Sequence, residues 1–347
     1  MSDLERPAPQ GVLRPGWSTT VSDYAIAGGW ARGGSIMIVG DVAGNIYGFD
    51  GKSGDVLWSR PQSHDGGVLA MAVRPDGRAF ASTGQDGRVL LWNASGGELI
   101  KAIDVGSGWV EKVAWSSDSQ QLAISLGRRV YVYRSDGENA WRSEEHPSTV
   151  AAIAWSGSAE LATACYGRVA FFDGKTGERR QTLEWKGSLV SMVLSPDGDI
   201  VACGSQDNSV HFWRRSTSED SMMSGYPGKP SALAFDSSGT VLATGGGEQV
   251  TVWSFAGDGP EGTRPGELKM HVRPLARLSF SRRGMLLASG DREGGVAIWK
   301  VRRDGTGDVA GAAIVMGAVS ELAWRPDGRS LAALDGQGTI TTWRVRQ

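Results

Sequence analysis

The chain has almost no cysteine. Two thiols in 347 residues, Cys165 and Cys203, cannot staple a chain of this size, and their spacing is not that of metal ligands. A reducing, cytoplasmic setting fits that usage. No run approaches the eighteen or more apolar residues that a membrane helix needs, so no membrane partner is expected. The opening MSDLERPAPQ has two acidic residues and no apolar core, so no secretory signal is expected there. Neither sign of charge dominates: the formal net charge is −2, without the basic field of a nonspecific nucleic-acid binder. Helical periodicity of useful length is missing as well. Histidine is scarce, at four residues, and neither GxSxG nor HExxH occurs. Gly51-Lys52-Ser53 and Gly174-Lys175-Thr176 imitate a phosphate loop. The glycine required five positions earlier is instead Ile46 or Val169, and no helix follows. These absences point away from an enzyme, a metal site and a bound cofactor.

Glycine, at 50 residues, and tryptophan, at 14, are plentiful, and both recur in register. The segment VRPDGRAFASTGQDGRVLLW (73–92) has counterparts in VLSPDGDIVACGSQDNSVHFW (193–213), FSRRGMLLASGDREGGVAIW (280–299) and WRPDGRSLAALDGQGTITTW (324–343). Weaker copies occupy 30–49, 115–133, 155–172 and 235–253. The eight copies end at Phe49, Trp92, Tyr133, Phe172, Trp213, Trp253, Trp299 and Trp343, spaced 39 to 46 residues apart, which is the length of a propeller blade. Each reads as strand a, a turn such as RPDG, a small-residue strand b, a tight turn, and an apolar strand c. A more polar outer strand d follows. Strands apolar on both faces fit sheets packed around an axis. The fold class is therefore all-β: a single β-propeller of eight four-stranded blades, with seven as the fallback count. Residues 1–11 are read as a tail and 12–347 as the propeller. The last copy leaves no room for its own strand d, so VLRPGWSTTV (12–21) is expected to close the ring by completing the C-terminal blade.

The SPDG–LASG–DGxVxxW grammar resembles the WD40 repeat family. That resemblance implies a blade-holding tetrad of His, Ser/Thr, Asp and Trp. Repeat two matches with His64, Ser82, Asp86 and Trp92; repeat seven matches with His271, Ser289, Glu293 and Trp299, glutamate replacing aspartate. Repeat four keeps His146 and Thr163, and repeat five has Trp185 at the histidine position. GNIYGFDGKSGDVLWS (44–59) and FFDGKTGERRQTLEW (171–185) are instead similar to repeats of pyrroloquinoline-quinone propellers.

The repeat also sorts the tryptophans. Trp30, Trp115, Trp155 and Trp324 share one strand-a position. Trp92, Trp213, Trp253, Trp299 and Trp343 end strand c, while Trp17, Trp58, Trp141 and Trp185 lie on outer strands. Trp109 has no such slot; its counterparts are Tyr24, Gly67, Thr149, Ser188, Lys229, Pro274 and Ala318, too mixed a set to be specified by packing. In the resembled family the d–a and b–c loops share one face, the top. A partner-binding site is expected there, from Trp109, Glu111, Arg128 and Arg129, with Gln85, Gln206 and Arg292 on other b–c turns. The 254–267 insertion is expected to be a flexible loop on the opposite face. The function implied is a noncatalytic scaffold for one or more proteins or peptides; nucleic acid is not favoured and a small molecule is not indicated. The alternative is a ligand-binding or catalytic propeller using its central channel.

Overall fold

The structure is a computed structural model that describes residues 9–257 and 259–346. Apart from the three-residue 3-10 turn Arg32–Gly34, every element described is a β-strand. The repeats form a single β-propeller. Inner strands of consecutive repeats touch in sequence round the circle, and Val319–Trp324 of repeat eight meets Ala25–Ala31 of repeat one.

Repeat two shows how a unit is built. Val68–Val73, Ala79–Gly84, Arg88–Asn93 and Leu99–Asp104 pair antiparallel in that order. Strand b is wholly buried, because it is sandwiched in its own sheet and between neighbouring sheets. Its small residues, Ala81, Ser82 and Thr83, leave room for stacked rings. Phe80 lies between Trp58 of repeat one and Trp92, with centroids 6.0 and 6.1 Å away. Strand d carries alternate exposed residues, as an edge strand must.

The hydrogen bonds join the strands into seven sheets, and this corrects the expectation of eight separate ones to the fallback number. The difference lies at repeats four and five. There Arg179–Leu194 is one continuous strand that pairs with Glu160–Asp173 at one end and with Ile200–Ser205 at the other. Glu160–Asp173 is likewise continuous, spanning strands b and c of repeat four, so the eight expected strands become a single six-stranded sheet. The segment TLEWKGSLV has no proline, and ladder partners hold it on both sides: Ser188 pairs with Tyr166 and Leu189 with Ser205, so the backbone stays extended from one repeat into the next.

Leu13–Thr20 pairs with Thr339–Val345 and completes the last sheet. Thr342 fastens the junction: its Oγ1 accepts from the Trp17 N–H at 2.9 Å and donates to the Trp17 carbonyl at 2.8 Å. Gln10–Gly11 also pairs, with Ala312 and Gly311 on the outer strand of repeat seven. The rest of the N-terminal tail, residues 1–8, lies outside the described residues, as does Asp258 in the insertion.

Candidate partner-binding face

All four strand-a tryptophans on the inner ring donate to the strand-a carbonyl one residue before the same position in the preceding repeat: Trp30 to Ala323, Trp115 to Ala72, Trp155 to Ala114 and Trp324 to Ser279, at 2.9, 3.1, 3.0 and 2.9 Å. The outer tryptophans reach forward instead. Trp17, Trp58 and Trp141 donate to Gly51, Ser95 and Gly174 in c–d turns. Gly177 shows why such turns need glycine: its φ is +73°, and a Cβ there would lie 2.6 Å from the Trp141 ring. The two phosphate-loop look-alikes are these turns. Asp50 Oδ1 accepts the N–H groups of Lys52 and Ser53, and Asp173 Oδ1 those of Lys175 and Thr176. These backbone bonds and the Arg180 guanidinium hold the Asp173 carboxyl down at about 2. The N–H groups a phosphate would need are thus spent on carboxylates.

The first tetrad is assembled. His64 Nδ1 lies 3.0 Å from Asp86 Oδ1, its Nε2 lies 2.8 Å from Ser82 Oγ, and Trp92 Nε1 donates to the same Oγ at 2.9 Å. An ionised aspartate only accepts, so Nδ1 carries the proton and Ser82 donates to Nε2. Burial pushes the His64 pKa down, against the opposing pull of Asp86.

In repeat seven His271 Nε2 and Trp299 Nε1 meet Ser289 Oγ at 2.6 and 2.7 Å, but the carboxylate is Asp291, 2.8 Å from Nδ1. Glu293 is not a member; it is exposed and pairs with Arg273. The reason is local. Asp291 ends strand b, where repeat two has Gly84, and a Cβ on Gly84 would come within 2.4 Å of the His64 ring. One repeat brings the carboxylate from the turn over a glycine, and the other places it directly on the strand.

Repeat six builds the same bridge with tyrosine: Trp253 Nε1 donates to Tyr226 Oη, which donates to Thr244 Oγ1, both at 2.8 Å. The signal was present, since Tyr226 precedes Thr244 by 18 residues, as His64 precedes Ser82. In repeat four His146 Nε2 meets Thr163 Oγ1 at 3.0 Å, and Nδ1–H donates to the Arg128 carbonyl at 3.1 Å in place of an aspartate. In repeat five Trp185 stacks on His211 at 3.8 Å, with Trp213 edge-on at 4.3 Å. Asp220 Oδ2 lies 3.0 Å from His211 Nε2 but off the hydrogen-bond direction, so the buried ring has no hydrogen-bond partner. Cys165 and Cys203 are buried and free, and burial pushes both thiols up.

Trp109 stands apart from this framework. It is 55% exposed, and every other tryptophan is buried or half-buried. It borders a hollow of about 480 Å³ together with Glu111, Arg128, Arg129, Glu145 and Thr149. The four residues expected to cluster in repeat three therefore lie together. Arg128 is pinned by a 2.7 Å bond from Nε to the His146 carbonyl. Arg128 and Arg129 face Glu145 at 3.7 and 3.3 Å. Gln85, Gln206 and Arg292 share one backbone role: their N–H groups bond to Gly67, Ser188 and Pro274, the counterparts of Trp109. None of them lines the Trp109 hollow. Arg292 borders a separate cavity of about 960 Å³ near Tyr226 and Glu248. Glu145 and Thr149 sit in a d–a loop that the repeat comparison did not single out.

Among the described residues no cluster of three or more His, Cys, Asp or Glu is placed to hold a metal, and no helix is long and apolar enough to cross a membrane. Two family models match parts of the chain. One described as "WD domain, G-beta repeat" matches residues 177–214, and one described as "Outer membrane protein assembly factor BamB" matches 42–184. The chain is similar to the WD40-repeat propellers. Actin-interacting protein 1 of Caenorhabditis elegans is 24% identical, over 81% of this chain and 47% of its own length. WD repeat-containing protein 1 of Xenopus tropicalis is 22% identical, over 90% of this chain and 52% of its own. The chain thus spans about half the length of these WD-repeat relatives. Among solved structures, the computationally designed Ika8 protein has a TM-score of 0.82 at 18% identity, covering 97% of this chain and all of its own. A chain of a mitotic checkpoint complex has a TM-score of 0.69 at 18% identity, covering all of this chain and 95% of its own. At these identities the likeness carries the propeller fold alone.

Proposed function

We propose that the chain is a noncatalytic, cytosolic scaffold of the WD40-repeat type that binds a partner protein or peptide on its top face, through Trp109, Glu111, Arg128 and Arg129. One observation carries the reading: of 14 tryptophans, the one outside the repeat framework is the one exposed, and it borders a hollow beside two arginines. Trp and Arg are the residue types that most often dominate interface energies. Burying an exposed indole against a partner removes a large apolar surface from water. The polar groups elsewhere support a structural reading, because the histidines of repeats two, four and seven and the turn carboxylates are engaged within their own repeats or with the next. The WD-repeat relatives add support at the level of a scaffold, and one solved neighbour is a member of a multiprotein complex. Gln85, Gln206 and Arg292 belong to the wider face as separate contacts.

The test is affinity capture with the wild type and with a Trp109→Ala/Arg128→Glu variant. Loss of a specific partner from the variant is the expected result. Equal recovery of every partner by both proteins overturns the assignment of this site.

A further inference from the structure

Tyr166, where strand b runs on into strand c within Glu160–Asp173 of repeat four, is 52% exposed, and it and Trp109 are the two exposed aromatic side chains among the described residues. They border two adjoining hollows, which together make up a shallow trough. The Trp109 hollow shares Glu111 and Thr149 with a second hollow of about 590 Å³, which is bordered by Lys112, Ser148, Tyr166 and Leu189. The trough carries three cations, Arg128, Arg129 and Lys112, against two anions, Glu111 and Glu145. It is locally positive on a chain whose formal net charge is −2.

We propose that this trough takes an extended peptide segment in which one carboxylate is flanked by apolar side chains, and that Glu145 stands in for that carboxylate until the segment arrives. The proposal deepens the top-face reading and rests on it. Arg128 and Arg129 share the single carboxylate of Glu145 at 3.7 and 3.3 Å, as ion pairs without the alignment of a hydrogen bond, and all three side chains are about half exposed. A loose, solvated pair of this kind holds weakly. A guanidinium satisfied by a carboxylate makes two short parallel bonds instead. The Nε bond to the His146 carbonyl already fixes the Arg128 guanidinium, so less side-chain freedom is lost when a ligand binds. Apolar groups on either side of the incoming carboxylate would then cover Trp109 and Tyr166. A polyanion such as nucleic acid suits the trough less well, because Glu111 and Glu145 lie within it.

The probe is a displayed random dodecapeptide library, panned against the full chain. The expected winners carry an Asp or Glu between apolar residues. They should lose at least about tenfold in affinity on Trp109→Ala, on Tyr166→Ala and on the Arg128→Ala/Arg129→Ala double variant, each with an unchanged melting temperature. On Glu145→Gln they should bind several-fold more tightly, since the internal competitor is gone. Winners that need Trp109 but carry no acidic residue and ignore the arginines overturn the carboxylate inference and leave the top-face reading standing. Weaker binding on Glu145→Gln overturns the stand-in role. A selection that yields no binder sensitive to Trp109 or Tyr166 overturns both readings.

Discussion

His271 Nδ1 lies 2.8 Å from Asp291 Oδ2, and both groups are buried. Asp291 Oδ1 also accepts the N–H groups of Glu293 and Gly295, so one carboxylate ties the histidine to the b–c turn. Replacing it with asparagine puts an amide where three donors now meet an anion, so at least one donor faces an N–H. Asp291→Asn should destabilise the protein by about 1–3 kcal/mol, while Glu293→Gln should leave the urea midpoint unchanged. A lowered midpoint on Glu293→Gln with Asp291→Asn unchanged would show that the carboxylate at the turn, and not the one on the strand, supports the histidine.

Acid should unfold the protein through these same groups. Burial lowers the pKa of His64, His146 and His211 below 6.5, so the fold favours the neutral rings. For Asp86 and Asp291 burial pulls the pKa up, but the histidine bonds together with backbone N–H groups outweigh it, and the net shift is downward. A depressed folded-state pKa contributes stability above the unfolded value that is lost as pH falls. Stability should therefore be level above about pH 7, decline below about 6.5 as the histidines charge, and fall more steeply below about 4. Urea midpoints across this range check the shape, and a flat profile between pH 7 and 5 would contradict it.

His211 should behave unlike His64. Its nitrogens have no hydrogen-bond partners, so a phenyl ring in its place removes buried polar atoms without breaking a bond. His211→Phe should be neutral or stabilising and should flatten the acid decline. His64→Phe strands Ser82 and Asp86 and should cost about 1–3 kcal/mol. Thermal unfolding of the two variants at pH 7 and 5.5 separates these cases.

Trp109 and Trp115 occupy the same short stretch, GSGWVEKVAW, with opposite consequences. Trp115 is buried, donates to the Ala72 carbonyl and lies under the Arg74 guanidinium. Trp115→Ala should cost about 3–5 kcal/mol. Trp109→Ala should change stability by less than about 0.5 kcal/mol while lowering partner recovery. Denaturation curves for the pair give the answer before any partner is known.

Much of this was readable in the repeat. The aromatic ends of the strand triplets, the closing strand at 12–21, the repeat-two tetrad and the four-residue cluster around Trp109 all follow from aligning the copies. Register is local information: a residue's place in a triplet sets which face of the sheet it joins, and so which neighbours it meets. The same alignment selected Glu293 over Asp291, because spacing counts residues and not directions. A carboxylate at the strand end and one in the turn can reach the same ring by different paths.

The sequence by itself determined that the chain is a β-propeller and that Trp109 lies outside its framework, since both are statements about periodic patterning. Tertiary structure alone decided what surrounds Trp109. Glu145 comes from the next d–a loop and Tyr166 from the strand Glu160–Asp173 of the next repeat, and residues on separate elements acquire a common surface only when strands from different repeats pack side by side. It also decided the sheet count, because one continuous strand serves two repeats where it finds ladder partners in both.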